Sequence, residues 1–127
     1  MLIDSNIIIY ASKPEYVSLR QFIAKNLPVV SAVSYVEVLG FHQLIQEEKE
    51  LLEAFFALTD ILPLTQSVLN RAVLLRQQRR MSLGDALVAS TALVYHHTIV
   101  THNVKDFTWI DELTVFDPLA DNEEHTG

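Results

Sequence analysis

The chain has 127 residues, half of them hydrophobic and 20% charged, and its formal net charge is −7. This length and composition predict one folded domain and exclude a disordered chain. The absence of cysteine excludes disulfides, thiolate metal sites and cysteine nucleophiles, and it favours a cytoplasmic location.

No stretch of the sequence indicates a membrane segment. The longest apolar run, near residues 86–95, falls well short of the ~20 residues that span a bilayer. No basic residue precedes Lys13, so we also expect no secretory signal.

The first predicted element is a short buried strand, Leu2-Ile3, which ends at Asp4. In open parallel α/β sheets, ligands bind beyond the carboxyl ends of the strands, so an acid at this position is placed for chemistry. Asp is also a favoured helix starter, so Asp4 could merely cap the segment that follows. The sequence leaves both interpretations open at this point.

Helices and short strands alternate through the first half of the chain. The apolar spacing predicts an amphipathic helix over residues 14–27, a strand over 28–31 and an apolar helix from Ser34 to Ile45. A further helix is predicted over residues 47–58, followed by an edge strand over 61–64 that contains a proline. The expected inner stripe of the 47–58 helix consists of Leu51, Leu52, Phe55 and Phe56.

The same alternation continues to the carboxyl terminus. A helix is predicted over residues 66–80, and a very apolar helix opened by Ser82 continues to His96. A strand over 98–101, a loop or single turn over 102–107 and a strand over 113–116 follow. The residues of the 66–80 helix expected to face inward are Val68, Ala72, Val73 and Leu75.

This order of elements predicts an α/β fold. We expect three layers, α/β/α, with a central and mainly parallel sheet of four or five strands. Residues 1–119 would form this domain, and residues 120–127 would form an acidic, solvated tail.

Four acidic residues fall near one edge of the predicted sheet. Asp4 ends the first strand, Glu37 lies in the first turn of the helix after the second strand, and Asp106 follows the fourth strand. Asp85 opens the central apolar helix, although it does not directly follow a strand. Because parallel strands place their carboxyl ends on one edge, we expect the four acids to converge there.

Two of these acids have an alternative, structural explanation. Ser34-x-x-Glu37 and Ser82-x-x-Asp85 match the spacing of a capping box, in which the acid reaches back to the first amide of the helix. Each acid nevertheless heads an apolar helix face, where a carboxylate is costly unless it is paired or coordinated. Converging carboxylates without cationic partners favour Mg²⁺ or Mn²⁺. Such an ion can activate water against a phosphodiester.

The negative net charge argues at first sight against a nucleic-acid partner, because Lys and Arg dominate phosphate binding. Three acids, Asp121, Glu123 and Glu124, belong to the predicted tail, and their removal leaves −4 for the remainder. If the four converging acids hold metal ions, the remaining surface is about neutral. Local basic clusters then matter more than the total charge.

Four segments in order carry a family resemblance: Leu2-Ile3-Asp4-Ser5-Asn6, Val36-Glu37-Val38, Leu83-Gly84-Asp85-Ala86-Leu87-Val88-Ala89 and Val100-Thr101-His102-Asn103-Val104-Lys105-Asp106-Phe107. Together they resemble a PIN domain, and closely the VapC-type toxins of bacterial toxin–antitoxin pairs. The resemblance implies an α/β/α ribonuclease that depends on Mg²⁺ or Mn²⁺, usually forms a homodimer and is inhibited by a cognate antitoxin that covers the site.

Carried over position by position, the resemblance implies a catalytic, metal-holding quartet of Asp4, Glu37, Asp85 and Asp106, with Asp4 and Asp85 as the first candidates for direct ligands. It also implies that Thr101, Asn103 and Asn6 support the site or position substrate. His102 departs from the pattern, because many relatives carry arginine between the threonine and the asparagine. This leaves one fewer fixed positive charge for RNA, although histidine can donate to phosphate.

The sequence therefore predicts a metal-dependent endoribonuclease that acts as a toxin. The alternative from another class is a catalytically degenerate protein-binding module whose acids only cap helices. A phosphatase with Asp4 as nucleophile is less favoured, because Asn6 stands where such enzymes carry a second acid.

Two further groups have open roles. The basic cluster Arg76, Arg79 and Arg80 either contacts RNA phosphates or an acidic partner, or is a solvated helix end. Phe107 and Trp109 either stack on bases or close the core, and core packing is favoured.

Overall fold

Five short strands, all parallel, form the middle layer of the computed structural model, which describes residues 1–120. Hydrogen bonds join β1, β4 and β5 in one group and β2 and β3 in another. A bridge between Leu2 and Val29 joins the two groups, which gives the order β3-β2-β1-β4-β5. The strands are β1 (Leu2–Ile3), β2 (Val30–Ser31), β3 (Ile61–Leu62), β4 (Ile99–Val100) and β5 (Val115–Phe116).

Six α-helices connect the strands. They are α1 (Ser5–Ala11), α2 (Val17–Asn26), α3 (Ala32–Leu39), α4 (Gln46–Ala57), α5 (Gln66–Gln78) and α6 (Leu83–Val94). A single 3₁₀ turn, Val104–Asp106, follows β4. Of the predicted tail, Ala120 ends the described part of the chain and residues 121–127 lie outside it.

Two apolar cores lie on opposite faces of the sheet because neighbouring strand residues point in opposite directions. Ile3 and Val100 pack against α1 to α4 on one face. Leu2 and Ile99 pack against α5 and α6 on the other. This arrangement confirms the predicted three-layer α/β/α fold and its parallel sheet. Within residues 1–120, no helix combines the length and apolar character needed to cross a membrane.

The predicted helix from Ser34 to Ile45 is wrong at both ends. Helix α3 begins at Ala32, because Ser31 is its N-cap and its hydroxyl oxygen accepts from the Val33 amide at 3.3 Å. The helix ends at Leu39, and residues 41–45 form no helix. Glu37 consequently lies in the second turn, and the predicted Ser34-x-x-Glu37 capping box does not exist.

The predicted inward orientation of two residues is also wrong. The side chain of Val73 in α5 is 55% exposed, and that of Leu51 in α4 is 47% exposed. The predicted edge strand, in contrast, is confirmed, because β3 pairs only with β2.

Candidate active site

Asp4 is the most buried of the four candidate acids, with 5% of its surface exposed. It follows β1 and is the N-cap of α1, so Oδ1 accepts from the Ser5 amide at 2.8 Å. Its second oxygen, Oδ2, accepts from the Thr101 hydroxyl at 2.9 Å. Asp4 is therefore both a helix cap and a member of the site, and the two interpretations drawn from the sequence are compatible.

The pKa of Asp4 rises from 3.8 to about 6, chiefly because burial disfavours the charged form. The hydrogen bonds from Thr101 and Ser5 oppose this rise, whereas the negative charges of Asp85 and Glu37 add to it. A buried carboxyl whose pKa is raised by burial and by neighbouring acids marks a candidate functional site.

Glu37 reaches the site from α3 through contacts that involve no helix cap. Its Oε1 accepts from the Ser5 hydroxyl at 2.8 Å, and Ser5 Oγ lies 3.0 Å from Ser34 Oγ. A Cβ atom placed on Gly84 would lie 2.5 Å from Glu37 Oε2. The carboxylate of Glu37 therefore occupies space that only a glycine at the start of α6 leaves open.

Asp85 lies in the first turn of α6 and is half-buried. Ser82 is the N-cap of this helix, and its hydroxyl oxygen accepts from the Asp85 amide at 3.1 Å. Burial raises the pKa of Asp85, and the charges of Asp106 and Glu37 raise it further, against a lowering hydrogen bond from Ser82. Of the two bonds of a capping box, the structure shows the one from the Asp85 backbone amide to the Ser82 hydroxyl. The carboxylate of Asp85 interacts with two other acids.

Asp106 comes from the turn after β4, where Thr101 organises the chain. The Thr101 hydroxyl donates to Asp4, and the same hydroxyl oxygen accepts from the backbone amide of Asn103 at 3.1 Å. Thr101 is fully buried, whereas Asn103 and Asp106 are exposed. One buried hydroxyl therefore connects the end of β1 to the loop that carries the fourth acid.

The structure brings the four acids to one edge of the sheet without basic partners. The charges of Asp85 and Glu37 raise the pKa of Asp4, and those of Asp106 and Glu37 raise the pKa of Asp85. The four ion pairs within residues 1–120 involve none of them. Mutual repulsion is therefore left uncompensated by protein cations.

The donor set fits a hard divalent cation. Within the described residues, no three acidic or histidine side chains lie close enough together to hold a metal ion jointly. Mg²⁺ does not need three such ligands, because it usually takes one or two carboxylates and keeps several waters. The buried amide of Asn6 supports the fit, since neither its oxygen nor its nitrogen has a protein hydrogen-bond partner.

His102 lies beside the site and is tied to a different carboxylate. Its Nδ1 lies 3.1 Å from Asp117 Oδ2, and its ring packs edge-on against Tyr10 with 5.8 Å between the ring centroids. His102 therefore belongs to the residues that surround the site, and the bond to Asp117 fixes the orientation of its ring.

Sequence reasoning missed two residues that shape the site. The hydroxyl of Ser5 orients Glu37 from 32 positions away, which no local pattern indicates. Gly84 did carry a signal, because glycine inside a helix is unfavourable and usually has a packing reason.

The largely apolar groove between α2 and α4 does not include the four acids. It has a volume of about 520 Å³ and is lined by Leu27, Leu51, Phe55 and Leu58 among others. Leu27 is 83% exposed and Leu58 is 92% exposed. Exposed apolar surface of this kind is typical of protein–protein contacts.

Comparison with known proteins gives a consistent result. The PIN domain family model matches residues 1–113. A toxin–antitoxin complex from Klebsiella pneumoniae contains a similar chain, with 25% identity, a TM-score of 0.72 and coverage of 89% of this chain and 94% of that one. VapBC-1 from nontypeable Haemophilus influenzae shows 25% identity, a TM-score of 0.72 and coverage of 91% and 96%.

A further similar structure is VapBC2 from Rickettsia felis bound to a DNA fragment from its promoter. Its TM-score is 0.78 at 22% identity, with coverage of 91% of this chain and 96% of that one. No curated protein sequence matches the chain.

Proposed function

The chain belongs to the PIN-domain family, and on that premise we propose that it is a Mg²⁺- or Mn²⁺-dependent endoribonuclease that acts as the toxin of a toxin–antitoxin pair. The observation that carries this proposal is the buried carboxyl of Asp4. The charges of Asp85 and Glu37 raise its pKa, Asp106 acts in the same way on Asp85, and none of the four acids has a cationic partner within residues 1–120.

The residues have distinct roles in this proposal. Asp4 and Asp85 hold the cation directly, and Glu37 and Asp106 hold it or its waters. Bound there, the ion supplies an activated water and stabilises negative charge at the phosphorus. Thr101 fixes the orientation of Asp4, and Ser5 fixes that of Glu37. Asn6 and Asn103 offer amide groups to a water or to the RNA.

The antitoxin partner is supported by the relatives, two of which are VapBC complexes. The apolar groove between α2 and α4 adds support, because it exposes leucines that a protein partner would cover. A homodimer, which the resemblance implies, and a cytoplasmic location, which the absence of cysteine favours, remain predictions. Light scattering on the purified chain tests the first.

The proposal is tested by incubating total bacterial RNA with purified protein in Mg²⁺, in Mn²⁺ and in EDTA, beside the Asp4→Asn variant. We expect discrete fragments that require the metal and disappear in the variant. Fragments that persist in EDTA, or with the variant, would contradict the proposed chemistry. The absence of cleavage by the folded parent protein would favour the protein-binding module.

A further inference from the structure

Positive charge is concentrated at one place beside the acids. Four of the nine Lys and Arg residues lie between the middle of α5 and the two residues that follow it: Arg71, Arg76, Arg79 and Arg80. Helix α5 packs against α6, and only residues 79–82 connect them. The basic end of α5 is therefore next to the start of α6, where Asp85 lies.

Arg79 is held at the rim of the acidic site through an aromatic ring. Its guanidinium carbon lies 5.5 Å from the centroid of the Trp109 ring, in a cation–π contact. Trp109 Nε1 in turn donates to the carbonyl oxygen of Asp106 at 3.0 Å. Arg79 is thus linked, through one ring and one hydrogen bond, to the backbone of one of the four acids.

Two of the neighbouring arginines are engaged differently. Arg71 lies 3.4 Å from the carboxylate of Glu112, which neutralises it. Arg76 donates from Nε to the Met81 carbonyl at 3.3 Å. Arg79 is exposed and, within residues 1–120, makes no ion pair. Its charge is held in place but not compensated by the protein.

We propose that Arg79 binds a backbone phosphate of the RNA strand next to the cleaved bond, and that Trp109 positions it. This inference rests on the proposed ribonuclease function. A strand with one negative charge per nucleotide must approach four carboxylates, so a fixed positive group at the rim offsets repulsion that a bound cation leaves uncancelled. The planar guanidinium suits phosphate oxygens and stays charged at every working pH.

A second basic side chain beside the site, His102, is already bonded to Asp117. Arg79 supplies a permanent positive charge from a different element. Trp109 does not need to touch RNA for this role, because its face is occupied by the guanidinium.

The test measures binding of a short fluorescein-labelled single-stranded RNA by fluorescence anisotropy between about 50 and about 200 mM salt. All variants of the full chain carry Asp4→Asn so that the RNA stays intact. Arg79→Ala should weaken binding about two- to fivefold. It should also reduce the slope of log affinity against log salt by about 0.7, the value for one phosphate contact on a single strand.

Three controls make the result specific. Arg71→Ala removes the same charge from the same helix and should leave the slope unchanged. Arg79→Lys keeps the charge and should restore most of the slope. Trp109→Leu should weaken RNA binding when Arg79 is present. It should cause no further loss of affinity in a protein that already carries Arg79→Ala, because Trp109 acts only through the guanidinium.

Equal slopes for Arg79→Ala and Arg71→Ala would overturn the inference. So would a loss of binding to a polyglutamate peptide with RNA binding unchanged, since Arg79 would then serve an acidic protein segment. Failure of the proposed function itself is recognised separately, because the parent protein would then cleave no RNA in the metal-dependent assay.

Discussion

At the scale of single residues, the site is built from groups that are unfavourable for the fold alone. Asp4 is a buried carboxyl with a pKa of about 6, and Asn6 has a buried amide without a protein partner. Gly84 lies inside a helix, where glycine costs roughly 1 kcal/mol relative to alanine. In the proposed function a cation would offset the cost of burying Asp4, and Gly84 leaves open the space that the Glu37 carboxylate occupies.

The substitution Gly84→Ala should separate stability from function. The added Cβ would lie 2.5 Å from Glu37 Oε2, the far end of a flexible side chain, so the carboxylate should move rather than the backbone. We expect thermal unfolding to be unchanged or raised by a few degrees, with Mn²⁺ affinity reduced about tenfold. Calorimetric titration with Mn²⁺ measures this, and an affinity equal to that of the parent would contradict the role of Glu37.

The substitution Asp4→Asn should change stability in a pH-dependent way. Because the pKa of Asp4 is raised in the folded protein, stability is highest below the ordinary value of 3.8 and is lost as pH rises through about 6. The loss amounts to about 3 kcal/mol above that window, at ~1.4 kcal/mol per pKa unit. Without metal, the variant should therefore be more stable than the parent at pH 7.5 and similar to it at pH 4. Urea unfolding in EDTA checks this, and a difference independent of pH would contradict it.

At the scale of elements, local patterns located helices and strands better than their ends. Ser31 and Ser34 are both good helix starters, and the sequence favoured Ser34 because Glu37 follows three residues later. The structure uses Ser31, whose hydroxyl also lies 3.0 Å from that of Thr91, 60 residues away. Such a contact depends on the packing of α6 against β2, which no local pattern contains.

Exposure on helices shows the same limit. Periodicity identified Leu52 and Phe56 as buried, but it also assigned the exposed Leu51 to the same apolar face. The pattern alone does not show where the edge of that face lies. The acids were predicted at the correct edge, since strand ends in a parallel sheet require only topology. The Ser5–Glu37 bond and the space above Gly84 were not, because they depend on side chains from separate helices.

The start of α6 provides a test at this scale. Replacing Ser82 by alanine removes the hydroxyl that accepts from the Asp85 amide and should cost about 1 kcal/mol. The expected fall in Tm is about 3–5 °C for a chain of this size. Ser82→Thr keeps the hydroxyl and is the matched control, so equal Tm values for the two variants would show that this cap does not stabilise α6.

At the scale of the whole molecule, the distribution of charge bears on the proposed RNA substrate. The sheet order places β1 at the centre, so Asp4 lies in the middle of the row of strand ends. The net charge of −7 is distributed unevenly, with acids at the strand edge and arginines at the end of α5. Local charge rather than the total then decides which partner the molecule can approach.

A cation that binds only the folded chain should stabilise the whole molecule. At a free Mn²⁺ concentration about 100 times its Kd, the expected gain is about 2.7 kcal/mol, or roughly 10 °C in Tm. Asp4→Asn should show little of this shift, whereas Lys25→Ala, on α2 away from the acids, should show all of it. Thermal unfolding with and without Mn²⁺ measures the effect, and an equal shift in the Asp4 variant would place the ion elsewhere.

The most direct measurement is the position of Mn²⁺ in crystals of the full chain, located by its anomalous scattering. We predict a peak within coordination distance of the carboxylates of Asp4 and Asp85, with Glu37 and Asp106 bound directly or through water. The peak should be absent in crystals of Asp4→Asn. A Mn²⁺ ion bound away from these residues, or a site that survives the substitution, would contradict the claim that the four acids form the catalytic metal centre.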